Sequence, residues 1–98
     1  MKSHHLDRLT HLRPGHYGAA RRDWLIRTLA GLVPNFTGEI GDETALAEAG
    51  LSLDSLALID LVGAIDERLG VTVLEHEITS EHFGSVGRLL RFLDARLS

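Results

Sequence analysis

Cysteine is absent from this 98-residue chain, and aromatic residues and prolines are few: one Trp, one Tyr, three Phe and two Pro. Without cysteine, the chain has no disulfide, no thiolate metal site and no cysteine nucleophile. No apolar run approaches the roughly 20 residues needed to cross a bilayer. The N-terminal residues are polar and rich in histidine, unlike an apolar signal sequence. We therefore expect a single soluble, cytoplasmic domain.

Charge is divided between a basic N-terminal part and an acidic remainder. Residues 1–27 carry six Lys and Arg against two Asp, a net charge of +4, whereas residues 28–98 carry four Arg against twelve Asp and Glu, a net charge of −8. An acidic surface repels the phosphates of nucleic acids and attracts proteins with basic patches. This distribution predicts protein partners and predicts neither nucleic-acid nor membrane binding.

Three segments repeat apolar residues at helical spacing and predict three helices of several turns. The first runs from about residue 20 to residue 33, and Pro34 ends it. The second runs from about residue 55 to residue 69, with Gly70 at its stop position. The third follows Ser85, a residue type that commonly caps helices.

A long loop and a short helix complete the predicted fold. Residues 35–53 contain three glycines, and we expect Leu46 and Leu51 to anchor this loop to the core. Residues 71–74 are expected to form an extended loop, and a short helix is predicted from Thr79 or Ser80 to Phe83. The sequence thus predicts an all-α four-helix bundle with a long loop between helices 1 and 2 and a short third helix.

The N-terminal residues predict a tail rather than part of the bundle. Residues 1–19 are basic and His-rich, contain the turn pair Pro14–Gly15, and have an apolar pattern too short to hold a helix alone. We therefore predict a flexible tail over residues 1–19 and one domain over residues 20–98. The six histidines lack the spacing of a metal-ligand framework, so no metal site is predicted.

Ser55 is the most informative candidate site residue. A hydroxyl at the start of a helix lies beside unpaired backbone N–H groups and the positive end of the helix dipole, which favour an attached phosphate. The alternative is that Ser55 only caps the helix, because serine is a common cap. The sequence as a whole shows no arrangement of nucleophile and base and no phosphate-binding glycine loop, so a stand-alone enzyme is not predicted.

A longer pattern around Ser55 resembles a known family. Residues 50–62 read Gly-Leu-Ser-Leu-Asp-Ser-Leu-Ala-Leu-Ile-Asp-Leu-Val, which is similar to the Gly-Leu-x-Leu-Asp-Ser-Leu…Glu-Leu-Val signature of acyl carrier proteins. Residues 65–71 and 77–89 resemble the end of the family's second helix and its third and fourth helices. The resemblance covers about residues 21–97, and it implies the acyl carrier protein type of four-helix bundle.

The resemblance implies a carrier protein that is not an enzyme. Such a protein holds acyl or aminoacyl groups as thioesters on a 4′-phosphopantetheine arm, which a phosphopantetheinyl transferase moves from coenzyme A onto the serine. Further implied partners are the enzyme that loads the acyl or aminoacyl group and ketosynthases or other condensing enzymes. Since the chain starts with Met1 and ends just after the last helix, we expect a free-standing (type II) carrier, and a monomer.

The resemblance also assigns roles to individual residues. Ser55 matches the attachment serine, and Asp54 and Leu56 belong to the surrounding attachment motif. The residues implied to contact partner enzymes lie along the second helix: Leu56, Ile59, Asp60, Gly63, Asp66 and Glu67. The competing interpretation of the three acidic residues is a solvated helix face. Ser52 lacks the preceding Asp and following Leu of the motif and is not the predicted attachment site.

Several positions depart from carriers of primary fatty-acid synthesis. Ala57 stands where an acidic residue is frequent, Gly63 where a larger apolar residue is common, and Leu74 where proline is frequent. These departures favour a dedicated pathway that assembles a polyketide, a non-ribosomal peptide or a specialised fatty acid. Two alternatives remain: an unmodified helical adaptor of the same fold, and a nucleic-acid binder that uses the basic N-terminal region.

Overall fold

The computed structural model describes residues 14–47 and 50–98 of the chain. In these residues the secondary structure is helical, as predicted. The helices are α1 (Pro14–Leu32), α2 (Ser55–Leu69), a 3₁₀ turn (Glu75–Glu77), α3 (Ser80–Phe83) and α4 (Val86–Leu97). Helix α1 packs against α2 and α4, and α3 packs against α4. This arrangement confirms the bundle with a long first loop and a short third helix.

Helix α1 begins earlier than the sequence predicts. The Pro14–Gly15 pair, which predicts a turn, is instead the start of the helix. Proline is favoured at the first position of a helix because that position needs no N–H donor and the ring presets the helical φ. The predicted start near Ala20 is therefore wrong. The rest of the predicted tail, residues 1–13, lies outside the described residues, and its flexibility stays a prediction.

The core is formed by the apolar residues that repeat at helical spacing. Seven side chains are fully or almost fully buried, and they come from the three long helices: Leu25, Leu29, Leu61, Ile65, Val86, Leu89 and Leu93. Leu46 and Leu51 are also buried, at 3% and 4% exposure, which confirms them as anchors of the long loop. Val71 and Val73 alternate into the core from the extended segment after α2.

The long loop is fixed to the start of α4 by backbone hydrogen bonds. The N–H groups of Val86 and Gly87 donate to the carbonyl oxygens of Thr44 and Asp42, at 3.0 and 2.8 Å. Ala45 and Ser85 form an antiparallel bridge at the same place. Because the Ser85 hydroxyl also accepts the N–H of Arg88, the predicted cap of the last helix is confirmed. The loop is thus held along its middle and not only at its ends.

The C-terminal turn of α4 holds the segment that follows α2. The Arg96 guanidinium donates to both Glu77 carboxylate oxygens, at 3.1 and 2.9 Å, and to the Thr72 carbonyl at 3.0 Å. It also lies 5.5 Å from the centre of the Phe92 ring. Phe92 is buried, although helical spacing alone did not identify it as a core residue. Leu97 continues the helical spacing of apolar residues in α4 but is 37% exposed, because it lies in the final turn of the helix.

Candidate functional site at the start of helix α2

Asp54, not Ser55, caps helix α2. The Asp54 backbone is extended, and its carboxylate accepts the Ala57 N–H at 2.8 Å. Ser55 is the first helical residue and is exposed. The interpretation of Ser55 as the cap is therefore wrong, since the neighbouring aspartate makes that hydrogen bond. The Ser55 hydroxyl lies on the surface, at the helix end where the dipole favours a phosphate group by about 0.3–1 kcal/mol.

The start of α2 is presented by a loop with its own hydrogen bonds. The N–H groups of Leu51 and Leu53 donate to the carbonyl oxygens of Ala45 and Leu46, each at 2.9 Å. Gly50 is required where these segments meet, because a Cβ atom there would lie 2.0 Å from the Ala45 carbonyl oxygen. The residues before Ser55 are therefore held in place by backbone hydrogen bonds to an earlier part of the loop.

Two apolar cavities lie near the start of α2. The first, of about 240 Å³, is lined by Ser55, Leu58, Ile59, Val62 and Ile78. A second cavity of about 230 Å³ shares Leu58 and Ile78 with the first and is also lined by Leu46, Leu53 and Phe83. Ile78 contributes to both cavities. The sequence pattern gave Ile78 no separate role, because it lies in an irregular segment between helices.

The outward face of α2 brings together most of the predicted partner-contact residues. Leu56 and Ile59 are unusually exposed for large apolar side chains, at 73% and 65%. A shallow surface depression is lined by Ile59, Asp60, Gly63, Ala64, Asp66 and Glu67. Leu56 does not line it and lies one turn nearer Ser55. The face thus combines uncovered apolar area with three exposed carboxylates.

The ion pairs found among the described residues lie away from this face. Arg21 pairs with Asp94, Arg22 with Asp42 at 2.8 Å, and Arg96 with Glu77 at 2.9 Å. A hydrogen bond from the Leu74 backbone N–H, together with the contact to Arg96, holds the pKa of Glu77 below its usual value. In the described part of the chain, the carboxylates of α2 are not used to hold the fold through such pairs.

Residues 14–47 and 50–98 contain neither a cluster of metal ligands nor a membrane-spanning helix. No group of three His, Cys, Asp or Glu side chains there could hold a metal ion. No helix in the same residues is long and apolar enough to cross a membrane. His4, His5 and His11 of the predicted tail fall outside the described residues.

Comparison with known proteins identifies the family. Residues 23–93 match the family model described as the phosphopantetheine attachment site. The chain therefore belongs to this family of phosphopantetheine-binding carrier proteins, which agrees with the resemblance to acyl carrier proteins. It is a carrier and not an enzyme, and its cofactor is covalently attached 4′-phosphopantetheine. The exposed hydroxyl at the start of α2, outside the helix cap, fits the attachment of such a group.

Two solved structures are similar to this chain. One is a chain from a crystal structure of an FAD-dependent dehydrogenase, with 34% sequence identity and a TM-score of 0.63, covering 71% of this chain and 99% of that one. The other is from the Bradyrhizobium japonicum glycine:[carrier protein] ligase complexed with glycylated carrier protein. It has 23% identity and a TM-score of 0.63, and covers 74% of this chain and 96% of that one. No curated protein sequence matches this chain significantly.

Proposed function

We propose that Ser55 carries the phosphopantetheine arm and that the chain shuttles acyl or aminoacyl groups between the enzymes of one biosynthetic pathway. The observation that carries the proposal is the division of roles at the start of α2. Asp54 makes the cap hydrogen bond, so that the Ser55 hydroxyl is exposed and available to a modifying enzyme. When bound, the arm supplies a terminal thiol that holds the cargo as a thioester, which suits a chain without cysteine.

Ser55 takes part in one chemical step. Its Oγ attacks the coenzyme A phosphorus that bears the pantetheine group. A new O–P bond forms, the phosphoanhydride bond breaks and adenosine 3′,5′-bisphosphate leaves. The hydroxyl proton passes to a base of the phosphopantetheinyl transferase, which also supplies the magnesium site. Asp54 and Leu56 flank Ser55 and form part of the surface that the transferase recognises.

We assign the outward face of α2 to partner recognition. Apolar contact comes from Leu56 and Ile59, and charge comes from Asp60, Asp66 and Glu67 around Gly63. Exposed charges speed association and are screened by salt, so such contacts form and release quickly. That behaviour suits a carrier that must visit a transferase, a loading enzyme and condensing enzymes such as ketosynthases in turn.

We place the carrier in a dedicated pathway that makes a polyketide, a non-ribosomal peptide or a specialised fatty acid. The departures of Ala57, Gly63 and Leu74 from carriers of primary fatty-acid synthesis support this placement. We further propose that the protein acts as a monomer in the cytoplasm. The alternative is an adaptor of the same fold that has lost the arm, and it differs in predicting no modification.

The test is the intact mass of the protein after incubation with a broad-specificity phosphopantetheinyl transferase, coenzyme A and magnesium. We expect one phosphopantetheinyl increment on the wild type, none on Ser55→Ala, and one on Ser98→Ala, a control that removes a distant hydroxyl. An increment on Ser55→Ala would overturn the site assignment. No increment on the wild type with any of several transferases would favour the unmodified adaptor.

A further inference from the structure

Ser52 has an unusual backbone conformation three residues before Ser55. Its φ is +54°, and within residues 14–47 and 50–98 it is the one residue other than glycine with a positive φ. L-residues with a side chain rarely adopt this left-handed region, since the Cβ atom then lies too close to the carbonyl oxygen. Nothing in the residue type predicts this conformation.

The surrounding structure forces Ser52 into this conformation. The Ser52 N–H donates to the Ala47 carbonyl at 2.9 Å, and the N–H groups of Leu51 and Leu53 donate to Ala45 and Leu46. Leu51 is buried at 4% exposure, and Leu53 packs against the core. Ser52 itself is exposed between them. Its conformation is thus held by three hydrogen bonds and two anchored neighbours rather than by its own side chain.

The left-handed residue sets the course of the chain into α2. Directly after it come Leu53 and the extended Asp54, whose carboxylate accepts the Ala57 N–H. Ser55 follows as the first helical residue. If residue 52 moved to a more common conformation while Leu51 stayed buried, Leu53, Asp54 and Ser55 would take a different path. The cap and the exposed hydroxyl would then no longer lie where they do.

We propose that Ser52 is a positioning residue for modification at Ser55, acting through its left-handed backbone and not through its hydroxyl. The inference rests on the proposed attachment at Ser55 and adds a specific requirement to it. Residue 52 must tolerate a positive φ for the transferase to find Ser55 correctly placed. A misplaced reacting group slows a reaction even when the protein remains folded.

The test compares substitutions that differ in their tolerance of a positive φ. Ser52→Gly and Ser52→Asn accept it, whereas the β-branched Ser52→Val does not. We expect Ser52→Val to lower the kcat of the transferase reaction about tenfold, with a smaller change in KM because the α2 face is intact. Ser52→Gly and Ser52→Asn should keep the wild-type rate. Circular dichroism establishes the temperature at which every variant is folded.

Two further measurements separate positioning from loss of fold. If Ser52→Val does not fold, Ser52→Leu takes its place, because leucine has nearly the shape of asparagine but lacks its tolerance of the left-handed region. Hydrogen exchange of the Ala57 amide, which is bonded to Asp54, should be faster in the slow variant than in Ser52→Asn.

Each outcome of the rate measurement is decisive. Slow modification of Ser52→Val or Ser52→Leu, with Ser52→Asn and Ser52→Gly at the wild-type rate, supports the inference. Equal rates for all folded variants, on a wild type that is modified, overturn the role of Ser52 and leave the proposed function intact. If the wild type is not modified at Ser55, the proposed function fails and the role of Ser52 fails with it.

Discussion

At the scale of single residues, the start of α2 assigns different tasks to two neighbours. Asp54 accepts the Ala57 N–H and stabilises the helix, whereas Ser55 is exposed and makes no contribution as a cap. The Asp-Ser pair alone could not show this division. Both residue types are good caps, so residue type alone does not decide between them, and the prediction considered only Ser55.

This division predicts unequal effects on stability for the two neighbours. Asp54→Ala should lower the free energy of unfolding by about 0.5–2 kcal/mol through loss of the cap. Ser55→Ala should change it by less than about 0.5 kcal/mol, as surface substitutions usually do. Urea unfolding followed by circular dichroism measures both. Asp54→Asn is the control and should keep most of the stability, because asparagine also caps well. A larger loss for Ser55→Ala than for Asp54→Ala would contradict the assignment of the cap.

Gly63 gives a second prediction at this scale, in which stability and function change in opposite directions. It lies inside α2 on the exposed face, and a Cβ atom there would meet no atom within 4 Å. Gly63→Ala should therefore stabilise the fold by about 0.5–1 kcal/mol through helix propensity. It should also raise the KM of the transferase reaction, because the added methyl group fills the depression that we assign to partners.

Gly31→Ala is the matched control for Gly63→Ala. Gly31 lies in α1, and a Cβ atom there would also meet no atom within 4 Å. It does not line the α2 depression, so its substitution should leave KM unchanged. Thermal unfolding and steady-state kinetics on both variants provide the comparison. An unchanged KM for Gly63→Ala would indicate a solvated face rather than a partner contact.

At the scale of elements, local signals predicted helix α2 best. Its range of Ser55–Leu69 and the stop at Gly70 agree with the prediction, because the apolar spacing and the glycine at φ +72° act within a few residues. The start of α1 was less predictable, since Pro14 fits both a turn and a first helical position. Contacts between distant segments could not be read from the sequence. Those that join Thr44 to Val86 and Arg96 to Glu77 depend on how the elements pack.

The contact between Arg96 and Glu77 makes one part of the stability depend on pH. The pKa of Glu77 is held below its usual value of 4.5 in the folded protein by the Leu74 N–H and by Arg96. The contribution of the Glu77 carboxylate to the stability of the fold is therefore present above the pKa of the unfolded state, and it is lost as the pH falls through the pKa of the folded state. The difference in Tm between wild type and Glu77→Gln should thus be largest near neutral pH and should shrink below about pH 4.5. A difference that stayed constant from pH 7 to pH 3 would contradict this.

At the scale of the whole molecule, the charged side chains that pair within the fold lie apart from those on the face of α2 that we propose for partners. The ion pairs of the described residues join α1 to α4, α1 to the long loop and α4 to the 3₁₀ turn, whereas the carboxylates of α2 face solvent. The net charge of −8 over residues 28–98 is therefore partly concentrated on the face proposed for partners. Such a field mainly affects association and its dependence on salt.

Reversal of one of these charges tests the proposed face. Asp60→Lys should raise the KM of the transferase reaction at low salt, and the effect should weaken as ionic strength rises. Folding should change little, because Asp60 is exposed. Glu39→Lys makes the same change of charge in the long loop, at an exposed residue away from the α2 depression, and should have little effect. Equal changes in KM for both variants would indicate that only the net charge matters.

The central claim, that the arm is attached to Ser55, is tested most directly by locating the modification. Trypsin should release residues 28–68 as one peptide, because no Lys or Arg lies between Arg27 and Arg68. This peptide contains both Ser52 and Ser55, so fragmentation of the loaded peptide distinguishes the two hydroxyls. We expect the whole phosphopantetheinyl increment on Ser55. An increment on Ser52 or on any other residue would contradict the account.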